Sequence, residues 1–302
     1  MRRFRELDWL WLFLLSWIAP VIYDEYVGLQ YWSSLLFWLV PIGVLAPRYL
    51  HVTDAGGRRR RAFVIAVAAI TMLGLVLDFG FGHRILRFDD PNVRYLARLP
   101  ALSGSTIPIE EVLFYALGPI AILLVYVWCD EYWLAAYNPG QLRIVRARDT
   151  RLRLSLPALA WGGALVAGGT LIKWALTHQP GWPPQYFTFL VAVAIIPAIG
   201  LFSAVAGLVN WRAFGVTTLY LVMTAALWEA VLALPRHWWG YQAPAMMGLW
   251  VKTLSPRDDW WLPVEAVIVW ICTPFSVVMI YEAVKRYFYA ATPEKPVYQP
   301  YA

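Results

Sequence analysis

The chain has 302 residues, of which 60% are hydrophobic and 15% charged, with 18 Trp among them. Soluble domains are about half apolar and about a quarter charged, so this balance excludes an ordinary water-soluble domain and predicts an all-α, polytopic membrane bundle. The net charge of +6 would suit a nucleic-acid binder, but the cations follow membrane topology, and no nucleic-acid partner is expected.

Crossing roughly 30 Å of hydrocarbon takes about 20 apolar residues in a helix. Spans are predicted near 7–27, 31–47, 62–82, 107–128, 155–177, 186–208, 215–235 and 262–286, about eight helices. The first starts like a signal peptide, "MRRFRELDWLWLFLLSW", yet lacks a small-residue cleavage site and reads as a retained helix. Pro20 and the short second span make that pair a candidate broken or tilted unit. Arg2, Arg3, Arg5, Arg48 and Arg58 to Arg61 fall on one side of this topology. So do the cations of 143–153, with Arg212, Lys285, Arg286 and Lys295. That side carries 17 cations against seven in the opposite loops, which predicts a multi-pass protein of the cell membrane with both termini cytoplasmic. Cys129 and Cys272 lie on different spans and His51, His83, His178 and His237 are scattered, so neither a disulfide nor a metal site is expected.

The second half repeats the first. "PIEEVLFYALGPIAILLVY" aligns without a gap on "PVEAVIVWICTPFSVVMIY", placing Pro108 on Pro263, Glu110 on Glu265, Pro119 on Pro274 and Tyr126 on Tyr281, a shift of 155 each time. Upstream, Asp78 in "LVLDFGFG" corresponds to Glu229 in "AALWEAVLALP" with a shift of 151. This predicts two parallel four-helix repeats: 1–137, then 155–289 after a basic cytoplasmic linker at 138–154, with a tail at 290–302.

Depth then brings the acids together. At 1.5 Å rise per residue, Asp78 lies about 24 Å and Glu229 about 21 Å into their spans from the cytoplasmic side. Glu110, Glu111 and Glu265 stand in the first turns of helices descending from the other face, so all five carboxyls are expected at one level. Intramembrane acids are costly and usually face a cavity or a partner. Glu110 and Glu111 point about 100° apart, so one can face a cavity while the other braces it. A carboxyl in apolar surroundings resists ionisation because its charged form is poorly solvated, and can donate its proton while a differently placed neighbour accepts one. Phe114, Tyr115, Trp228, Trp238, Trp239 and Tyr241 lie nearby in sequence and could stabilise developing positive charge with their ring faces. Proton-initiated reaction of an alkene is the implied chemistry.

Plainer readings compete. Acids in a first helical turn favour the N-terminal dipole, and Ser105 or Thr106 with Pro108 could cap the helix. Asp78 and Glu229 near C-terminal ends gain nothing from a dipole, and would instead pair with Arg84 or Arg236. Most Trp and Tyr are expected as interfacial anchors, Tyr126 and Tyr281 included.

Together, Leu77-Asp78, "PIEEVLFY" with Pro119, "WWGYQAPAMMGLW", "LPVEAVIVW" and "IYEAVK" make the chain resemble the integral-membrane lycopene cyclases of bacteria, archaea and fungi. The resemblance covers about 75 to 130 and 225 to 288. It implies a cofactor-independent enzyme, an intramolecular lyase or isomerase, that protonates a terminal double bond of a carotenoid or other isoprenoid, closes a six-membered ring and removes a proton. It implies Glu110, Glu111, Asp78 and Glu265 as catalytic acids, with Glu229 joining them as the counterpart of Asp78. Phe114, Tyr115, Trp228, Trp239 and Tyr241 would bind the substrate. The partners are then a lipophilic isoprenoid and the bilayer, with homo-oligomerisation left open. The second motif reads Glu265-Ala266 and lacks one acid of the pair.

Two other functions are compatible with the sequence. The Asp89-Asp90 and Asp258-Asp259 pairs could bind magnesium diphosphate in a membrane prenyltransferase, and a parallel repeat could serve a non-catalytic isoprenoid carrier or scaffold.

Overall fold

The computed structural model describes residues 11–12, 14–28, 30–51, 57–88, 90, 92–102, 104–138, 155–178, 183–252 and 261–291. The linker beyond 138, the tail beyond 291, Asp89 and the Asp258-Asp259 pair lie outside the described residues.

The chain is mostly helical. A short N-terminal helix, α1 (Ala19–Val27), continues a wide turn at Leu14–Ile18. Among the described residues, seven helices are long and apolar enough to cross a membrane: α2 (Tyr31–Leu50), α3 (Arg58–Ile85), α4 (Ile109–Trp133), α5 (Leu156–Thr177), α6 (Gln185–Val205), α7 (Trp211–Ala233) and α8 (Val264–Tyr289). α1 is too short among the described residues to count with them, but Trp17 just before it donates to Thr224 Oγ1 at 2.9 Å and stacks on Tyr220, fastening this segment to α7.

Local chemistry sets the helix ends. Ser155 caps α5 by accepting from the Ala158 amide at 3.3 Å, and Asn210 caps α7 by accepting from the Ala213 amide at 3.2 Å. Pro119 inside α4 cannot donate to the Tyr115 carbonyl one turn back; the Thr71 hydroxyl of α3 donates to it instead, at 3.0 Å. Such replacement donors let proline persist where no water can reach the backbone.

Between α3 and α4, and again between α7 and α8, the chain makes a small antiparallel hairpin. The first pairs β2 (Arg98–Pro100) with β3 (Thr106–Pro108), and the second pairs β5 (Trp250–Lys252) with β6 (Trp261–Pro263). β1 (Leu86–Arg87) pairs with β4 (Gly240–Tyr241), so the loop leaving α3 is stitched to the loop leaving α7. Each hairpin delivers its chain to the start of a Pro-x-Glu helix.

The core runs down α4 and α8, where Leu123, Val125, Val277, Val278 and Met279 are fully buried. Tyr126 and Tyr281, expected as interfacial anchors, are instead buried between these helices at 0% and 1% exposure. Their setting is polar: the Tyr126 hydroxyl donates to Glu282 Oε1 at 3.1 Å, Lys285 Nζ donates to the same oxygen at 2.5 Å, and Asp130 is buried alongside. A phenol that serves an acid inside the bundle is not available to a lipid headgroup.

α5 lies at the edge with Leu156, Trp161, Leu171 and Trp174 exposed, an apolar face of the kind a bilayer covers. Its glycines divide by face. A Cβ on Gly169 would fall 2.7 Å from the Phe187 ring and one on Gly162 would fall 2.5 Å from Ile196, whereas Gly163 and Gly168 face open space. Gly169→Leu is therefore expected to destabilise the protein by about 1–3 kcal/mol, as overpacking does, while Gly168→Leu leaves it unchanged. Thermal melting of the two variants in detergent measures the contrast.

Candidate functional site

The two Pro-x-Glu helices begin with the same construction. The Ile109 amide donates to the Ala97 carbonyl and the Val264 amide donates to the Leu249 carbonyl, both at 3.0 Å, which extends each hairpin to the first helical residue. The next residue is a glutamate whose side chain turns back to the hairpin. Glu110 Oε1 accepts from the Leu96 amide at 2.7 Å, and Glu265 Oε1 accepts from the Met247 amide at 2.5 Å. Both glutamates have 0% exposure. They act as braces between helix start and preceding loop.

One residue on, about 100° around the helix, Glu111 faces a chamber enclosed by α2, α3, α4, α6, α7 and α8. Its volume is about 160 Å³. Counting ~10–15 Å³ per water on that measure, this is room for about a dozen heavy atoms, the end of an isoprenoid chain rather than its whole length.

Asp78 from α3, Glu111 from α4 and Glu229 from α7 all line this chamber. Each is at most 6% exposed. Glu111 accepts a hydrogen bond from the Tyr31 hydroxyl. Glu229 accepts one from the Tyr241 hydroxyl and another from Trp270 Nε1 at 2.9 Å. Asp78 differs, because its buried Oδ2 has no hydrogen-bond partner among the described residues. Its other oxygen lies in a notch that glycine leaves open: a Cβ on Gly82 would fall 2.0 Å from Asp78 Oδ1. Asp78 and Glu229 both lie in widened π-helical turns, Asp78–Gly82 and Ala226–Ala233, a local geometry found disproportionately at functional sites.

The rest of the wall is aromatic and aliphatic apart from Thr273, and among the described residues no Lys, Arg or His lines it. Phe114 and Trp228 approach with centroids 4.8 Å apart, Trp228 and Trp239 at 5.0 Å, and Trp38 and Phe114 at 5.4 Å. Tyr31 packs behind Trp228 and Trp239 rather than lining the chamber. It is 0% exposed and its ring contacts Phe88, Tyr95, Trp228, Trp238 and Trp239.

Phe114, Tyr115, Trp228, Trp239 and Tyr241, singled out from sequence, all line the chamber. Trp238 packs behind them on Tyr31. The five acids expected at one level separate into two groups: Asp78, Glu111 and Glu229 face the chamber, and Glu110 and Glu265 do not. The cause is the backbone amide offered to each bracing glutamate. At the position 155 residues beyond Glu111 stands Ala266, buried with Leu262 and Trp270, so Glu229 is the acid that the second half supplies to the chamber. Neither arginine considered for ion pairing takes that role: Arg236 pairs with Asp24, and Arg84 is exposed. Asp90 accepts from the Asn92 amide at 2.8 Å in a turn. Among the described residues, no three His, Cys, Asp or Glu side chains are grouped as a metal site.

Sequence reasoning missed Tyr31, Trp38, Tyr186, Trp270 and Gly82. A signal was present for several of them. Tyr31 and Tyr186 differ by 155, as do Tyr115 and Trp270, the shift of the Pro-x-Glu repeat.

Comparison with protein-family models, with curated proteins and with solved structures found no match to this chain.

The bracing role makes Glu110 separable from Glu111. A typical hydrogen bond contributes about 0.5–1.5 kcal/mol net, so Glu110→Leu, which removes the acceptor, is expected to speed amide exchange at Leu96 by roughly two- to tenfold, at about 1.4 kcal/mol per decade. Glu111→Gln leaves that amide protected. Hydrogen–deuterium exchange read by mass spectrometry on the 92–102 segment distinguishes them.

Proposed function

We propose that the protein is a membrane enzyme that cyclises the end of a carotenoid or other long isoprenoid by protonating a terminal alkene, with buried carboxyls as acid and base and no cofactor. The observation that carries this reading is the meeting of three carboxyls, from Asp78, Glu111 and Glu229, in one aromatic-walled chamber without a cation in its lining. Three acids without a counter-cation are an expensive arrangement at membrane depth. They suit a reaction in which a proton is delivered to, and a positive charge develops on, a hydrocarbon. The rings of Phe114, Trp228 and Trp239 supply faces for that charge, and the packing of Tyr31 behind Trp228 and Trp239 leaves apolar walls that limit the water able to quench a carbocation.

The same proposal includes the finer architecture. Eight spans in two parallel four-helix repeats, with both termini cytoplasmic, are supported by the matching hairpins, the matching glutamate braces and the cation asymmetry of the loops. The chamber would then lie between the halves, toward the side opposite the termini.

A carrier or scaffold for the same lipid is the second reading, favoured by the lipid-level chamber itself. It gives no role to the acids. Expression in a lycopene-accumulating bacterium, with pigments separated by chromatography, tests both. Cyclic carotenoid is expected with the wild type, and Glu111→Gln is expected to lower ring formation by at least about 100-fold, in the range of a lost group that stabilises charge in the transition state. Linear pigment unchanged by the wild-type protein would count against carotenoid cyclisation, and bound pigment released unchanged would favour the scaffold.

A further inference from the structure

Resting on that cyclisation reading, we infer that the three chamber acids have fixed and unequal roles: Asp78 donates the initiating proton, Glu229 removes the final one, and Glu111, held in direction by Tyr31, faces the developing cation. Tyr31 and Tyr241 are positioning residues that set this division, and Gly82 keeps the donor in place.

The assignment follows from which hydrogen bonds each acid receives. Glu229 accepts from two donors, the Tyr241 hydroxyl and the Trp270 indole N–H. Donors aimed at a carboxyl favour its charged form, and hydrogen bonds to an ionised acceptor are the stronger kind. To act as proton donor, Glu229 would have to work against both. Glu111 accepts from Tyr31, whose ring is held among five other aromatic rings, so that donor is fixed in direction. Asp78 has no such partner on its buried Oδ2. A carboxyl buried beside other acids in an apolar wall, with one oxygen lacking a hydrogen-bond partner, is least costly as the neutral acid, the form that can protonate an alkene. Gly82 fits the same role, because any side chain there would collide with Asp78 Oδ1.

The step balances without an outside reagent. The Asp78 O–H bond breaks as a C–H bond forms at the terminal alkene carbon, leaving a tertiary cation. The electron pair of a second alkene then forms the ring C–C bond and moves the charge into the ring. A neighbouring ring C–H bond breaks, its electrons form the ring double bond, and the proton passes to Glu229. Asp78 is left as carboxylate and Glu229 as acid, so one proton must return across the chamber before the next turnover, and the product is an isomer of the substrate.

The test uses the purified full chain in liposomes containing lycopene, in D2O, with mass spectrometry of product and recovered substrate. The wild type is expected to place one deuterium in each ring formed. Asp78→Asn should lower ring formation by roughly 1000-fold, the middle of the range for a lost general acid. It should also leave recovered lycopene without deuterium, and Asp78→Glu should restore part of both signals. Glu229→Gln should still admit deuterium while the cyclic product falls or shifts its double-bond position. Tyr241→Phe should retain deuterium uptake and change the ring-isomer ratio, a readout that a merely structural tyrosine would not move. Gly82→Ala should lower deuterium uptake as Asp78→Asn does, with some loss of melting temperature from the close contact with Asp78. Uptake retained in Asp78→Asn, or lost in Glu229→Gln with Asp78→Asn active, would overturn the assignment. A wild-type protein that neither cyclises lycopene nor exchanges deuterium into it would instead overturn the reading on which the assignment rests.

Discussion

The hydrogen bond from the Leu96 amide to Glu110 is the constraint from which the rest of the chamber follows. With one glutamate pinned to the hairpin, the first turn of α4 cannot rotate, and the next residue, Glu111, is directed inward by the helix geometry alone. Phe114 and Tyr115 follow one turn below on the same wall. The second half repeats the pin at Glu265 but carries Ala266 at the inward position. The brace is thus duplicated while that chamber acid is not, and the resulting asymmetry lets three acids surround one space with distinct neighbours.

Both upstream acids depend on a second local device. Asp78 and Glu229 come from helices that widen into π turns where these residues stand. A widened turn displaces side chains from regular helical spacing, which opens the place where Asp78 lies over Gly82 and where Glu229 meets Tyr241 and Trp270. At the far end of the bundle, Tyr126 of α4 and Lys285 of α8 both donate to Glu282 Oε1. That cluster lies about 23 Å from Glu111 along α4 by helical rise. It joins the two Pro-x-Glu helices at the end opposite the chamber, so the helices are fastened below and braced above.

Much of this was legible in the sequence because membrane depth is a one-dimensional quantity. Counting residues along apolar runs located the spans closely enough to bring Asp78, Glu111 and Glu229 to one level, and the constant shift of 155 matched Glu110 to Glu265. Depth does not encode direction around a helix, so Glu110 and Glu265 were grouped with the chamber acids although backbone amides hold them elsewhere. Tyr31 went unnoticed because an aromatic residue at a helix start reads as an interfacial anchor until its neighbours are known. Tyr126 and Tyr281 show the same ambiguity, resolved here toward burial by an acid one residue beyond Tyr281. Gly82 carried no visible signal, since its role depends on where a carboxyl four residues earlier turns.

The central claim is that carboxyls from both halves meet in one space shielded from lipid and water. An electron cryo-microscopy map of the protein in lipid nanodiscs, loaded with a linear carotenoid, measures this most directly. The account predicts elongated density ending between Asp78, Glu111 and Glu229, beneath the ring of Tyr31. Carotenoid density on the outer face of α5, or the three side chains turned apart toward bulk solvent with no space between them, would contradict it.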